Sequence, residues 1–488
     1  MLTDGDGSSA SATNEEPLLR SRKASLMEAI GKILWLAIPS ILQQGTDWLR
    51  PIVFNIFVSR NVRASSMSTV AAEHEMDSVS LAIMSVNLLC FATAWGFNNA
   101  IDAFAPVAFG RRDHKELHRV LYRQMVLLSA LTAMAVTLFR YSETILLAIG
   151  QTETVARRTS DLLKLLCWAV PGDFAYDGFA RWMRGQQKNK QVALCSTLGF
   201  GVNLFINFTF ADPHHPVETP VLALVAQNSL LPFLLIAVHL RQAGCFVAVS
   251  PRSILEGLGS QCFTGFLAAV WTCSEIWAWE AQVFEAAWLG PGNVAAYTLL
   301  SSTYSLLIMI PAGVSVATGA LVGEALGRAE LEAAALVLRA ACLLVPLVVV
   351  GYATPLLLAR FAIGEALGGG VADIVEGYAN VVPWIMVLHV FDGLLGVLKS
   401  WLTVQKKQAF GASVSIFAYY VVGLPIGFVM AFRLGGGLTG LWLGVGTAVC
   451  ICCAATFWRA WRDIQQMRRS ERVPGNKSAL WCGCTQMY

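Results

Sequence analysis

Long apolar runs separated by short polar stretches set the pattern of this chain. Ala340 to Leu358, Leu438 to Phe457, and Leu127 to Leu138 with its flanks are examples. Such runs reach about 20 residues, enough to cross about 30 Å of hydrocarbon. There only a helix satisfies its backbone hydrogen bonds within one segment, so each run reads as a spanning helix. The pattern predicts twelve spans, near residues 30–58, 78–108, 119–140, 157–182, 192–211, 219–240, 259–289, 293–322, 331–356, 377–402, 409–432 and 437–458. The polar segment 242–258 divides them six and six. The expected fold is an all-α membrane protein of twelve transmembrane helices in two six-helix lobes. An N-lobe (28–241) and a C-lobe (259–460) are joined by that linker and flanked by flexible tails at 1–27 and 461–488.

Composition excludes an ordinary soluble domain, because 56% of residues are hydrophobic and 14% charged, against about 25% charged in soluble chains. Residues 1–29 hold no apolar core of a cleavable signal peptide, so the first span is expected to serve as its own insertion signal. The basic residues then orient the chain. Arg20, Arg22 and Lys23 precede span one, and Arg111, Arg112, Lys115 and Arg119 follow span two. Arg181, Arg184, Lys188 and Lys190, then Arg241 and Arg252, then Arg328, then Lys399, Lys406 and Lys407, and finally Arg459 to Arg472 mark the same side. Alternate loops hold fewer cations, which places both termini in the cytoplasm. A scattered net charge of +3 gives no surface for nucleic acid. The twelve cysteines are dispersed, several within spans, and read as small packing residues with neither a disulfide framework nor a metal site.

An internal repeat supports the span count. Ala108-Phe109-Gly110-Arg111 recurs as Ala325-Leu326-Gly327-Arg328, and Trp182-Met183-x-x-Gln186 recurs as Trp401-Leu402-x-x-Gln405, at offsets of 217 and 219. Six spans per copy is an even number, so both copies insert in the same sense, related by an axis along the membrane normal.

Acids inside the spans are the candidate chemistry, since a charge at mid-bilayer is costly unless paired or hydrated. Glu275, Glu280 and Glu285 fall in the seventh span and Asp392 in the tenth. Glu275 and Glu280 are about 140° apart on a helix, so at most two of the three glutamates face one cavity. Few cations in the C-terminal half are expected within the membrane to neutralise them. A carboxylate in an apolar setting changes charge near neutral pH, which is what coupling to a proton gradient requires. Trp277 and Trp279 beside Glu280 offer aromatic faces to an organic cation. Asp47 and Arg50 stand at helical spacing and read as a structural pair; Asp173 and Asp177 are expected to pair with Arg181 and Arg184. His114 and His118 sit in a basic loop with Lys115 where a zinc hydrolase would need Glu, and no ATP-binding or protease signature is present. Asn207-Phe208-Thr209 is a sequon close to the membrane, and Asn476-Lys477-Ser478 a cytoplasmic one.

At several of these positions the chain resembles the multidrug and toxic compound extrusion (MATE) family in its eukaryotic branch. Tyr419 to Gly427, YYVVGLPIG, and Gly440-Leu441-Trp442 resemble its eleventh and twelfth helices. Cys273-Ser274-Glu275-Ile276-Trp277-Ala278-Trp279-Glu280 resembles the C-x-E-x-W-x-aromatic-E of the seventh. Met309 to Gly313 with Glu324 to Gly327 is similar to the eighth, and Ala100-Ile101-Asp102 with Ala108 to Gly110 to the second. The resemblance spans residues 28–460. It implies that Glu280 and Asp392 exchange protons with substrate, that Glu275 supports them, and that Asn87 and Asp102 help line the N-lobe cavity. Ala103 and Val107 depart from the family's Thr and Gln near Asp102. The resemblance implies no cofactor, H⁺ as coupling ion with Na⁺ as the alternative, a monomer, and a small, cationic substrate. Glu15-Glu16-Pro17-Leu18-Leu19 resembles a sorting signal for vacuolar or lysosomal membranes, with the plasma membrane the other expected location.

The expected function is therefore export of organic cations or other small xenobiotics in exchange for protons, by alternating access. The rivals are another twelve-helix carrier, a flippase for anionic or lipid-linked cargo, and a membrane-embedded enzyme using Glu280 and Asp392 as an acid/base pair.

Overall fold

The structure, a computed structural model, describes residues 12–65, 67–88, 92–212, 215–242, 245–290, 292–368 and 371–471, with side chains from Ser25 onward. Among the described residues every regular element is helical. The spans are α1 (Ala12–Ala64), α2a (Thr69–Val86) and α2b (Ala92–Gly110), α3 (His114–Arg140), α4a (Glu153–Leu166) and α4b (Val170–Arg184), α5 (Asn189–Thr209) and α6 (Glu218–Arg241). The C-lobe follows as α7 (Leu258–Trp288), α8 (Asn293–Gly327), α9 (Leu331–Gly368), α10 (Ala372–Val404), α11 (Gln408–Arg433) and α12 (Gly437–Glu471). Nine of these are long and apolar enough to cross a membrane by length and composition alone. The other three are the second and fourth spans, each built from two shorter helices, and α7, which carries three glutamates.

Two boundaries differ from the sequence expectation. Helix α1 begins at Ala12, inside the segment read as a flexible tail, and α12 runs on to Glu471, well past 460. Beyond 460 the helix is held by Ile464, buried in the core, and by buried Asp463, which pairs with Lys407 and Arg459; Arg468 adds an exposed pair to Glu332 at the start of α9, with nitrogen to oxygen distances of 2.7 and 2.8 Å. The side chains of Glu15 to Leu19, of Arg20, Arg22 and Lys23, and the whole of 472–488 with its second sequon lie outside the described residues. Asn207 is buried at the end of α5 and its amide bonds Asn203, which leaves no room for a glycan on the folded chain.

The internal duplication is structural as well as textual. Among the described residues, four other than glycine adopt the left-handed conformation: Arg112, Gln187, Ala329 and Lys406. They pair at the offsets already found, Arg112 with Ala329 and Gln187 with Lys406, each in a tight turn after the second or fourth helix of its lobe. Since that conformation is disfavoured for residues with a Cβ, its recurrence marks a shared backbone design.

The lobes meet along α1, α2b, α7 and α8. At the end that also carries the linker, Gly110 of α2b lies against the backbone of Glu324 in α8, and a Cβ on Gly327 would fall 2.9 Å from Gly110 Cα. Gly323 receives Pro106, and Gln187 bonds Glu324 across the same seam. The seam is closed there backbone to backbone. Higher up, Gly96 packs on Ala269 and Gly313 on Ile41.

Within the C-lobe, the YYVVGLPIG stretch belongs to α11, which includes wide i→i+5 turns over Phe417–Gly423 and Val429–Arg433. Pro425, with no N–H to donate, lies between them. Gly427 of α11 touches Gly444 of α12 with no side chain between, the close approach that small residues permit within a membrane. Gly444→Ala forces a methyl into that backbone contact and is expected to destabilise the protein by about 1–3 kcal/mol. Thermal unfolding in detergent checks this; an unchanged midpoint would mean the two helices do not pack this closely.

Candidate functional site

In the C-lobe, α7, α10 and α11 converge on one carboxylate. Glu275 accepts from the Lys399 ammonium of α10, from the Trp271 indole N–H one turn earlier at 3.1 Å, and from the Ser415 hydroxyl of α11 at 3.0 Å. Its side chain is 17% exposed and that of Lys399 25%, so the pair is largely withdrawn from solvent. Lys399 also lies 5.4 Å from the Trp271 ring centroid, a cation–π distance. Asp392, nearly two turns before Lys399 on α10, accepts from the Tyr304 hydroxyl of α8 and lies within electrostatic reach of Lys399 and Glu275. Tyr304 is itself set in an aromatic group, 4.9 Å from Trp279, 5.6 Å from Trp442 and 4.4 Å from His389 between centroids.

The structure therefore brings Glu275, Asp392 and, through Tyr304, Trp279 together. Glu280 stands apart from this group: it is exposed, further along α7, and its charge acts on Tyr297. Trp277 is 48% exposed and lies on the side of α7 away from Trp279. Asn87, at the C-terminal end of α2a, is exposed. Glu285 is half-buried near the end of α7.

Two expectations about charge are corrected. The C-lobe does hold an intramembrane cation for its acids, Lys399, which the sequence reading assigned to the cytoplasmic side because it comes late in span ten. Helix α10 continues to Val404, so Lys399 sits a turn and more inside it and reaches α7. In the N-lobe, Asp173 does not pair with Arg181 or Arg184. Its partner is Arg50 at 3.2 Å, which also pairs with Asp47 at 3.1 Å and donates to Asn228 at 3.0 Å. The Asp47–Arg50 pair is thus present but part of a larger cluster: Asp47 also accepts from Gln43 at 2.6 Å and from Ser196 at 3.0 Å. Arg184 goes to the Gln43 carbonyl at 2.5 Å.

Arg181 anchors a second N-lobe network. Its guanidinium meets Asp177 at 3.0 and 3.1 Å, Asn99 at 2.5 Å, and Asp102. Asn99 in turn donates to Thr272 of α7 at 3.0 Å, crossing between the lobes. Asp102 therefore serves, in this arrangement, as one of two counter-ions to a buried arginine. Arg181→Met strands two carboxylates, and breaking a buried ion pair costs about 3–5 kcal/mol. The expected result is a large loss of thermal stability, with Asp177→Asn costing less because Asp102 remains; equal losses would contradict the shared role.

Lys399, Tyr304, Trp271 and Ser415 were not singled out from the sequence. The 219-residue offset was the available signal: it relates Asp173 to Asp392 and Ser196 to Ser415 as it relates Trp182 to Trp401.

Comparison with known proteins follows the same lines. The sequence profile of the MatE family matches residues 39–209 and 268–429. Multidrug and toxin extrusion protein 1 from Oryctolagus cuniculus is 28% identical over 436 residues, 87% of this chain and 74% of that protein. The protein of the same name from Homo sapiens is 27% identical over 431 residues, 87% and 73% respectively. Among solved structures, the eukaryotic MATE transporter AtDTX14 superposes with a TM-score of 0.78 at 18% identity, covering 91% of this chain and 99% of that one. An outward-facing MATE transporter of the MOP superfamily superposes with a TM-score of 0.76 at 16% identity, covering 90% and 97%.

Proposed function

The chain belongs to the MatE family, and on that premise we propose that it is a proton-coupled antiporter that expels small organic cations by alternating access of its two lobes. The observation that carries the reading is the Glu275–Lys399–Asp392 cluster, two acids and one cation held between α7 and α10. Protonation of this cluster from the acidic side removes the charge that attracts cargo, and deprotonation on the other side restores it. A ligand moves a conformational equilibrium only through unequal affinity for the two states, and loss of a counter-charge supplies the inequality. Both oxygens of Glu275 already accept from donors, so a bare metal ion finds few free ligand positions there whereas a proton needs one; this favours H⁺ over Na⁺.

On this reading the protein works as a monomer in the plasma or a vacuolar membrane, both chain ends face the cytoplasm, the glycine seam closes the cytoplasmic side, and cargo leaves from the opposite face. The names of the mammalian relatives, which specify extrusion of drugs and toxins, support cargo of that kind.

The test is uptake of a fluorescent organic cation into proteoliposomes with an acid interior, for wild type, Glu275→Gln, Asp392→Asn and Glu280→Gln. The expected result is gradient-dependent uptake that disappears in the first two variants and is reduced in the third. Uptake that depends on the gradient in all four would refute the site and leave the transporter reading standing.

A further inference from the structure

The two lobes hold related constructions, with the cation on α1 in one and on α10 in the other. Ser196 and Ser415, 219 positions apart, each donate at 3.0 Å to an acid on the first helix of their lobe, Asp47 and Glu275. Asp173 and Asp392, also 219 apart, supply the second acid. One cation completes each trio: Arg50 in the N-lobe, Lys399 in the C-lobe. Ionised, each trio carries a single net negative charge. The other titratable groups whose charge acts on the C-lobe trio, or that touch it through Tyr304, are Tyr304 of α8, Tyr352 of α9, His389 of α10, Tyr419 of α11, and Cys452 and Cys453 of α12. All are mainly uncharged near neutral pH in their ordinary forms. Glu280 adds its charge further along α7, beside Tyr297.

We propose that Lys399 is a specificity-determining residue, a tethered cation that holds the C-lobe cluster at one net negative charge and so restricts its cargo to monovalent cations, exchanged against one proton. The proposal rests on the antiport reading. One positive charge, from cargo or proton, brings the trio to neutrality; a dication leaves one charge uncompensated where water is scarce, which is costly. The choice of lysine fits the task. Its ammonium is a point charge on a flexible stem, and it already acts on both Glu275 and Asp392, so it can shift toward whichever acid the cargo leaves. Arg50 is by contrast pinned by three partners at 3.0 to 3.2 Å, Asp47, Asp173 and Asn228.

The experiment compares 1-methyl-4-phenylpyridinium, a monocation, with 1,1′-dimethyl-4,4′-bipyridinium, a dication of similar framework. Full-length protein in proteoliposomes transports each under a fixed pH gradient at zero membrane potential. Wild type is expected to favour the monocation at least tenfold. Lys399→Met should lower that preference at least tenfold by raising dication flux, and Lys399→Arg should keep it. If Lys399→Met moves both probes with the wild-type preference, the proposal is overturned and antiport is untouched. If wild type moves neither probe, both readings fall. Should Lys399→Met not yield folded protein, competition binding to wild type decides: a dication bound at least tenfold more weakly than the monocation supports the proposal, and any smaller difference overturns it.

Discussion

Glu275→Gln is expected to reduce gradient-driven cation transport at least a hundredfold and to lower stability by about 3 kcal/mol. Removing the carboxylate charge leaves the Lys399 ammonium between helices without its main counter-ion, and stripping one partner from a buried pair typically costs about 3–5 kcal/mol. The lower end applies here because Asp392 is within electrostatic reach. Lys399→Met should destabilise less, since the Glu275 carboxylate keeps the Trp271 indole N–H and the Ser415 hydroxyl as donors when the ammonium is removed. The double variant Glu275→Gln with Lys399→Met removes both charges, and replacing a whole buried pair is often nearly neutral. It should recover most of the lost stability while transport stays absent. A double-mutant cycle of thermal unfolding alongside flux checks this. Additive stability losses would mean that the two side chains are not paired in the folded protein.

Gly110→Ala is expected to hold the seam open at the linker end. The added methyl would collide with the backbone of Glu324, and a helix backbone cannot move aside as a long side chain can. Overpacking of this kind costs about 1–3 kcal/mol, and the closed arrangement alone bears it, because the contact is absent once the lobes part. A shift of that size changes the ratio of closed to open states by about fivefold to more than a hundredfold. Val107, whose carbonyl lies against Gly327, provides the reporter. In a Val107→Cys background, a water-soluble maleimide should label the Gly110→Ala protein at least about fivefold faster than its parent. Equal labelling would show that the seam tolerates the methyl and does not act as a gate.

Much of the fold was legible because the bilayer imposes strong rules: apolar runs had to be helices, and two short repeats in register exposed the duplication. The ends were less legible. Helix α12 outlasts its apolar run because Ile464 packs into the core and Asp463 finds Lys407, contacts between residues far apart in the chain, and α1 starts within polar residues that a hydropathy pattern excludes. At the site, Glu275 and Asp392 were visible as costly charges within apolar runs, yet their mutual arrangement was not. Lys399 was hidden by its place late in span ten, where a positive charge reads as an orientation signal; only the length of α10 and its crossing with α7 reveal an internal counter-ion. Asp173 was assigned neighbours on its own helix by spacing, and its actual partner, Arg50, comes from α1. Spacing reports contacts along one helix, and sites built between helices need the packing.

The central claim, that cation movement is tied to proton movement through the C-lobe acids, is tested most directly by running the exchange backwards. A tetraethylammonium gradient is imposed across proteoliposomes with equal pH on both sides, and a trapped pH indicator is followed in wild type and Asp392→Asn. The account predicts proton flux opposite to the cation in wild type and none in the variant; cation flux in wild type that leaves internal pH unchanged would contradict it.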